Sequence, residues 1–183
     1  MTAKHTLQRR AVVAALLAQR GDALVVTGLG SPTWDVCAAG DDPRNFYLWG
    51  GMGGAAMVGL GLALAQPDRR ILVITGDGEM LMGMGSLASI GVQRPANLAV
   101  VVLDNEHYGE TGMQATHTGS GVDLTAIAKA SLFTEAATVR TEAELQSLVP
   151  RLYNARGPVF AAVKITTDKV PMALPLRDGT HIK

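Results

Sequence analysis

Asp77 and Asn105 are the two side chains whose positions in this sequence favour metal chemistry. Asp77 stands between Gly76 and Gly78 at the end of the apolar run RRILVIT, and Asn105 directly follows the apolar run ANLAVVVLD. If both runs are strands of one parallel sheet, a right-handed connection brings their ends together. A carboxylate, an amide oxygen and a loop carbonyl are hard ligands of the kind that Mg²⁺ takes in proteins. Asp and Asn are also ordinary turn residues, so the spacing alone leaves two unrelated turns as the alternative.

The residues around Asp77 also favour an anion at the same place. A helix predicted to open at Glu79 would point its free backbone amides toward the end of the preceding strand, where a negative group is stabilised. Gly76 and Gly78 would let the backbone approach that group closely. A diphosphate bridged by Mg²⁺ to Asp77 and Asn105 is the interpretation that uses all of these features.

The elements that must position these residues alternate along the chain between apolar strands and helical segments. This alternation predicts an α/β fold, a doubly wound, mostly parallel sheet of about six strands with helices on both faces. Ligands bind such sheets at the carboxyl ends of the strands, where the glycine-rich segments 28–31, 50–53, 76–79 and 105–109 fall. The predicted strands are 22–28, 45–50, 69–76, 96–105, 134–139 and 158–165, the predicted helices are 5–20, 30–40, 53–66, 79–93, 123–131 and 141–157, and 106–121 is predicted to be an irregular loop.

Composition restricts the class of protein. Hydrophobic residues make up 48% of the 183 residues and charged residues 17%, which indicates one globular domain over 1–183 with a Pro- and charge-rich tail from about 166 to 183. Lys plus Arg equals Asp plus Glu at 16 each, so we expect no nucleic-acid or membrane partner. The single cysteine, Cys37, allows no internal disulfide and favours a reducing, cytoplasmic location.

The spacing Gly76-Asp77-Gly78, 26 residues, then Asn105 resembles the signature of thiamine-diphosphate enzymes. The flanking segments GDGEMLMGMGSLASIG and VVLDNEHYGETGMQATHT are similar to the pyrophosphate-binding (PP) domain of thiamine-diphosphate-dependent decarboxylases, and most closely to those acting on sulfopyruvate or phosphonopyruvate. The resemblance runs from VVTGLGS through GGMGGAAMVGLGLAL to LPLRDGTHIK. It implies thiamine diphosphate and Mg²⁺ as cofactors.

The resemblance also implies roles for individual residues. Mg²⁺ would be held by the side chains of Asp77 and Asn105 and by the carbonyl oxygen of His107. The backbone of 105–109 and the amide of Glu79 would bind the diphosphate, and the segment 27–31 would close its other side. The full implied cofactor-binding set is Gly28, Ser31, Gly50, Gly51, Met52, Gly76, Asp77, Gly78, Glu79, Asn105, His107, Tyr108 and Gly109.

Two residues are implied to act in catalysis. The segment 50–53 would receive the aminopyrimidine ring, with the Met52 side chain beneath the bend of the cofactor; the alternative is a core methionine in a turn. His117 would hold the second anionic group of the substrate or relay a proton, and the alternative is a solvent-exposed loop histidine. Further donors for that anionic group would be His107, Gln114, Thr116 and Thr118.

The resemblance implies a partner as well. In the family, the glutamate that activates the cofactor lies on a separate pyrimidine-binding (PYR) domain, and the predicted first strand here begins at residue 22. We therefore expect an α subunit to supply that glutamate in an α₂β₂ or larger assembly, with the interface at 53–66 and 110–121. Arg177 and Lys183 in the tail would reach the partner's site.

The expected function is that of the β subunit of a decarboxylase for a small anionic 2-oxo acid, sulfopyruvate first. The alternatives are a phosphonopyruvate decarboxylase subunit, an acetolactate-synthase-like carboligase and a non-catalytic structural subunit. A dinucleotide-binding protein using TGLGS is disfavoured, because that segment lacks the complete glycine pattern.

Overall fold

A six-stranded parallel sheet forms the centre of the protein, in the strand order β2-β1-β3-β4-β8-β7. The computed structural model describes residues 5–175. All five neighbouring pairs in this sheet run parallel, as the apolar runs predicted. The strands are β1 (Leu24–Thr27), β2 (Asn45–Tyr47), β3 (Ile71–Gly76), β4 (Leu98–Asp104), β7 (Glu135–Val139) and β8 (Val159–Lys164), and a separate hairpin contributes β5 (His107–Tyr108) and β6 (Gln114–Ala115).

Helices cover both faces of the sheet, which confirms the doubly wound prediction. Each face has its own core cluster, because alternate residues of every strand point to opposite sides. One cluster contains residues of α1, α2 and α7, and the other contains residues of the remaining helices. The helices are α1 (Arg9–Leu17), α2 (Ser31–Ala38), α3 (Ala55–Ala65), α4 (Asp77–Met82), α5 (Gly85–Gln93), α6 (Leu124–Ala130) and α7 (Glu142–Asn154).

The single helix predicted over 79–93 is wrong, because the structure has two helices there with a break at Gly83. A Cβ built on Gly83 would lie 2.1 Å from the carbonyl oxygen of Gly53, so the two backbones cross in contact. The break separates α4, which packs against β3 and β4, from α5, which packs against α3 and α6. Helix α4 also begins at Asp77, two residues before the predicted start at Glu79.

The prediction of an irregular loop over 106–121 is also wrong. Strands β5 and β6 pair antiparallel as a hairpin, and a short 3₁₀ helix follows at His117–Ser120. Glu106 at φ 64° and Met113 at φ 62° take the left-handed conformation that the tight turns of this segment require. Strands of two residues are too short for any periodicity to be visible in the sequence.

The segment after β8 has no regular structure over residues 166–175. It returns to the first helix, where the guanidinium of Arg10 donates a hydrogen bond to the carbonyl oxygen of Pro171 at 2.7 Å. Arg177 and Lys183, expected to reach a partner, lie outside the described residues. Within residues 5–175 the longest helices are too short or too polar to cross a bilayer.

Candidate functional site

Three of the predicted site segments lie side by side at the carboxyl edge of the sheet. Neighbouring strands β1, β3 and β4 end there, in a register that pairs Thr27 with Ile74 and Gly76 with Leu103. The segments 28–31, 76–79 and 105–109 follow these strands directly. The fourth segment, 50–53, is held against the end of α4 by the contact between Gly53 and Gly83. The structure therefore brings all four segments to one edge.

Asp77 is a buried carboxylate with one oxygen already engaged. It is 2% exposed, its Oδ2 accepts a hydrogen bond from the hydroxyl of Thr116 at 2.5 Å, and the hydroxyl of Thr118 lies 3.2 Å from the same oxygen. Among the described residues no side chain donates to Oδ1, although the backbone amide of Asp77 itself also bonds to the carboxylate. Burial raises the pKa of Asp77 to about 6; the threonine hydroxyls act against that rise, and the charge of Asp104 adds to it.

Behind Asp77 lies a chain of charged groups that sequence reasoning missed. Thr118 donates to Asp104 Oδ1 at 2.8 Å, and Lys164 Nζ lies 2.7 Å from Asp104 Oδ2 and 2.8 Å from Glu106 Oε1. Burial acts to lower the pKa of Lys164, but the hydrogen bonds and charges of the two carboxylates raise it overall. A signal was present, since Asp104 and Lys164 are the charged ends of two apolar strands, and paired strands place such ends together.

Asn105 and His107 form one tight turn beside Asp77. The Asn105 side-chain oxygen accepts a hydrogen bond from the His107 amide at 2.9 Å, and the His107 ring nitrogen Nδ1 lies 2.9 Å from the Asn105 carbonyl oxygen. The ring of Tyr108 packs against the start of α4, where a Cβ on Gly78 would come within 2.5 Å of it. This close approach requires a glycine at 78 and fixes the turn to the helix that carries Asp77.

The carboxylate of Glu79 points into the interior rather than toward solvent. It is 5% exposed, and its Oε2 accepts a hydrogen bond from the Leu29 amide at 2.8 Å. Its Oε1 lies 3.4 Å from the amide of Ala55, the first residue of α3. The sequence indicated only a backbone role for Glu79, so these side-chain contacts are a new finding.

Ser31 opens α2 on the other side of the site. Its hydroxyl donates to Glu110 Oε1 at 3.1 Å, so the hairpin loop reaches across to the loop after β1. The segment 50–52 is open: a Cβ built on Gly50 or Gly51 meets nothing within 4 Å. Met52 is 42% exposed, which excludes a core methionine in this chain.

The loop residues expected to bind the substrate differ in exposure and in hydrogen bonding. His117 is exposed between the buried Thr116 and Thr118, which are occupied with Asp77 rather than free to bind a second anion. Gln114 bonds within its own turn, accepting from the Thr111 hydroxyl at 3.0 Å. Gly109 follows the turn of Asn105 and is exposed.

A comparison with known protein families identifies the domain to which this edge of the sheet belongs. The family described as "Thiamine pyrophosphate enzyme, C-terminal TPP binding domain" matches residues 33–163. The chain belongs to this thiamine pyrophosphate enzyme family. The matched range includes the segments that carry Met52, Asp77 and Asn105, whereas the segment 28–31 precedes it.

Curated relatives place the chain more narrowly within the thiamine pyrophosphate enzymes. It is 40% identical over 144 residues to the sulfopyruvate decarboxylase subunit beta of Methanothermobacter thermautotrophicus, a match that covers 79% of this chain and 74% of that one. It is 46% identical over 109 residues to the phosphonopyruvate decarboxylase of Streptomyces viridochromogenes, covering 60% of this chain but 27% of the relative. Both relatives are named as decarboxylases.

A solved structure shares the fold. The benzoylformate decarboxylase of Polynucleobacter necessarius superposes with a TM-score of 0.76 at 21% sequence identity, covering 93% of this chain and 36% of that one. At this identity the likeness concerns the fold.

The backbone at this edge of the sheet is open at two places. A Cβ built on Gly76 meets nothing within 4 Å, so the space in front of Asp77 is open to a ligand. A carboxylate such as that of Asp77 is the kind of ligand that a hard cation accompanying a diphosphate takes. Open backbone at Gly50 and Gly51 adds space for a ring at the other end.

Proposed function

We propose that this chain is the β (PP) subunit of a two-chain, thiamine-diphosphate-dependent 2-oxo acid decarboxylase whose substrate is sulfopyruvate. The observation that carries the proposal is the buried Asp77 carboxylate, whose Oδ2 contacts two threonine hydroxyls while no described side chain donates to Oδ1. This arrangement occurs in a chain 40% identical to a protein named as a sulfopyruvate decarboxylase β subunit. A carboxylate that is oriented by hydrogen bonds to one of its oxygens is well placed to bind a metal ion through the other.

Mg²⁺ would be bound by Asp77, by Asn105 and by the carbonyl oxygen of His107. Backbone groups around Gly28, Ser31, Gly76, Gly78, Glu79, Tyr108 and Gly109 would bind the diphosphate. When bound, thiamine diphosphate supplies an electron sink for the pair released as the carboxylate leaves. Metal and diphosphate together would anchor one end of the cofactor at the carboxyl edge of β3 and β4.

The segment 50–53 would hold the other end of the cofactor. The carbonyl oxygen of Gly50 would accept a hydrogen bond from the amino group of the pyrimidine, and the amide of Met52 would donate one to the ring. Gly51 would allow the loop to approach the ring without a side chain in the way. The half-exposed Met52 side chain would give the cofactor an adaptable apolar surface to rest on.

The overall reaction would convert sulfopyruvate and a proton to sulfoacetaldehyde and CO₂. The bond between the carboxylate carbon and the keto carbon breaks, and its electron pair ends on the former keto carbon, which then takes up the proton. The exposed His117 would relay that proton or bind the sulfonate. The reaction includes no net oxidation or reduction.

The activating glutamate would come from a PYR-domain α subunit in an α₂β₂ or larger cytoplasmic assembly. The subunit name of the relative from M. thermautotrophicus supports a partner chain. That partner would cover apolar side chains exposed on α3, at the end of α4 and on α5. The large apolar side chains exposed there are Met57 by 45%, Leu64 by 52%, Met82 by 68%, Met84 by 40% and Val92 by 71%.

Phosphonopyruvate is the second candidate substrate. The 46% identity to a phosphonopyruvate decarboxylase supports it, and a phosphonate is an anion similar to a sulfonate. The two substrates are separated by measuring CO₂ release from each one with the chain alone, with a PYR-domain α chain alone and with both. We expect turnover only in the mixture and a higher kcat/KM for sulfopyruvate. Equal turnover by the α chain alone would contradict a catalytic role for this subunit.

A further inference from the structure

The Glu79 carboxylate contacts two segments of the site, the loop after β1 and the start of α3. From the first turn of α4 it reaches the loop after β1 on one side and the start of α3 on the other. We propose that Glu79 is a positioning residue that fixes the diphosphate half of the site to the pyrimidine half before any cofactor binds. This inference rests on the proposed function for the identity of the two halves.

The contact with the loop after β1 is short and tightly packed. The amide of Leu29 donates to Glu79 Oε2 at 2.8 Å. A Cβ built on Gly28 would lie 2.1 Å from the same oxygen, so the backbone of this loop is in contact with the carboxylate. Because Leu29 lies between Gly28 and Ser31, any shift of the carboxylate moves the whole diphosphate-binding loop.

The contact with α3 supplies the side-chain N-cap acceptor that this helix lacks. Its N-cap is Gly54, which has no side chain with which to accept from the first amides of the helix. Glu79 Oε1 lies 3.4 Å from the amide of Ala55 and places a negative charge at the positive end of an 11-residue helix. Glu79, a residue of α4, therefore acts as the N-cap acceptor of α3. The residues just before α3, 50–53, form the pyrimidine segment.

The backbone contact between Gly53 and Gly83 reinforces the same connection. It fixes the pyrimidine segment to the end of α4, whereas Glu79 fixes it to the beginning. The carboxylate is 5% exposed and therefore little screened by water. An apo site with both halves already in register loses less conformational freedom when the cofactor binds, which raises affinity.

The first test needs neither cofactor nor partner. Amide hydrogen exchange of Leu29 and Ala55 is measured by NMR in the wild type, Glu79→Gln and Glu79→Ala. We expect Glu79→Ala to accelerate exchange at both amides by about tenfold or more, because the acceptor that closes them is gone. Glu79→Gln keeps one acceptor oxygen and should restore protection at Leu29. Unchanged exchange at both amides in Glu79→Ala and in Glu79→Gln would overturn the proposal.

Glu144→Ala is the matched control. The Glu144 carboxylate also accepts from two backbone amides at a helix start, those of Arg140 at 2.7 Å and Thr141 at 3.0 Å, but on α7. We expect faster exchange at Arg140 and Thr141 and none of the effect at Leu29 and Ala55. An equal acceleration at Leu29 and Ala55 in this variant would mean a general loss of stability and would overturn the assignment to Glu79.

The second test separates coupling from a local effect. Calorimetry measures the affinity of the chain, mixed with its α partner, for Mg²⁺ with thiamine diphosphate and for Mg²⁺ with inorganic pyrophosphate, which occupies only one half. We expect Glu79→Ala to weaken thiamine diphosphate by about tenfold more than pyrophosphate, a loss typical of outer-shell positioning groups. Equal losses for both ligands would overturn the coupling. If the wild-type mixture binds neither ligand, the proposed function fails, and the exchange experiment still decides whether Glu79 joins the two segments.

Discussion

Replacing Thr118 with valine tests whether the network behind Asp77 has the importance that its geometry indicates. Valine keeps the shape of the buried threonine but loses its hydroxyl, which lies 2.8 Å from Asp104 Oδ1 and 3.2 Å from Asp77 Oδ2. Both acceptors keep other partners: Thr116 stays on Asp77, and Lys164 stays on Asp104. The substitution therefore removes the charge-assisted hydrogen bond to Asp104 and the contact of 2.9 Å with the Thr116 hydroxyl, without isolating either carboxylate.

The expected loss follows from the value of such a bond. A hydrogen bond to a charged group contributes about 1.5–3 kcal/mol to the free energy of unfolding. For a domain of this length, a loss of about 2 kcal/mol lowers Tm by roughly 4–8 °C. Because Thr118 also helps to orient the proposed metal ligand, we expect the Mg²⁺-dependent affinity for thiamine diphosphate to fall by about tenfold.

Thr125→Val provides the control for Thr118→Val. The Thr125 hydroxyl forms a hydrogen bond of 2.8 Å with the Thr138 hydroxyl. Both groups are neutral, and neither bonds to Asp77 or Asp104. Its loss should cost about 0.5–1.5 kcal/mol and leave cofactor affinity unchanged. Urea unfolding and calorimetric titration measure both quantities in the two variants. If Thr118→Val destabilises no more than Thr125→Val and binds the cofactor equally well, the reasoning about the network is refuted.

Three further variants test separate parts of the structure. Gly83→Ala places a methyl group 2.1 Å from the Gly53 carbonyl oxygen and should cost about 1–3 kcal/mol in urea unfolding, whereas Gly85→Ala, with nothing within 4 Å, should be neutral or stabilising; equal effects would contradict the backbone crossing. Burial raises the pKa of Tyr153 from its ordinary value of 10.0 to about 12, so the wild type should lose stability as the pH rises from about 10 to 12 while Tyr153→Phe loses less, and parallel pH profiles would contradict this. Met52→Ala should leave the free energy of unfolding within about 0.5 kcal/mol, because the side chain is 42% exposed, but lower the rate of CO₂ release by the assembled enzyme, and an unchanged rate would remove Met52 from the site.

The sheet and the edge that carries the site could be predicted from the sequence because their signals are local. The continuous apolar runs around Val73 and Val100 indicate strands buried on both faces, and parallel strands bring the residues that follow them together. Asp77, Asn105 and the glycines around them follow from this rule. The spacing of those residues, through its resemblance to a known family, also indicated the cofactor.

The remaining features depend on contacts between residues far apart in the chain. The helix break at Gly83 is set by Gly53, and the role of the Glu79 side chain is set by the amides of Leu29 and Ala55. No periodicity or local propensity encodes such contacts. For the same reason the sequence suggests a substrate role for Thr116 and Thr118, although their hydroxyls contact Asp77 in the structure.

The most direct test of the account is a calorimetric titration of thiamine diphosphate with Mg²⁺ into this chain mixed with its PYR-domain α partner. It compares the wild type with Asp77→Ala and with Asp123→Ala, which removes an exposed N-cap carboxylate of α6 that accepts from the Ala126 amide at 3.0 Å. The account predicts Mg²⁺-dependent binding in the wild type and in Asp123→Ala, and its loss in Asp77→Ala. Binding of equal strength in Asp77→Ala, or no binding in the wild-type mixture, would contradict the assignment of this edge of the sheet as the cofactor site.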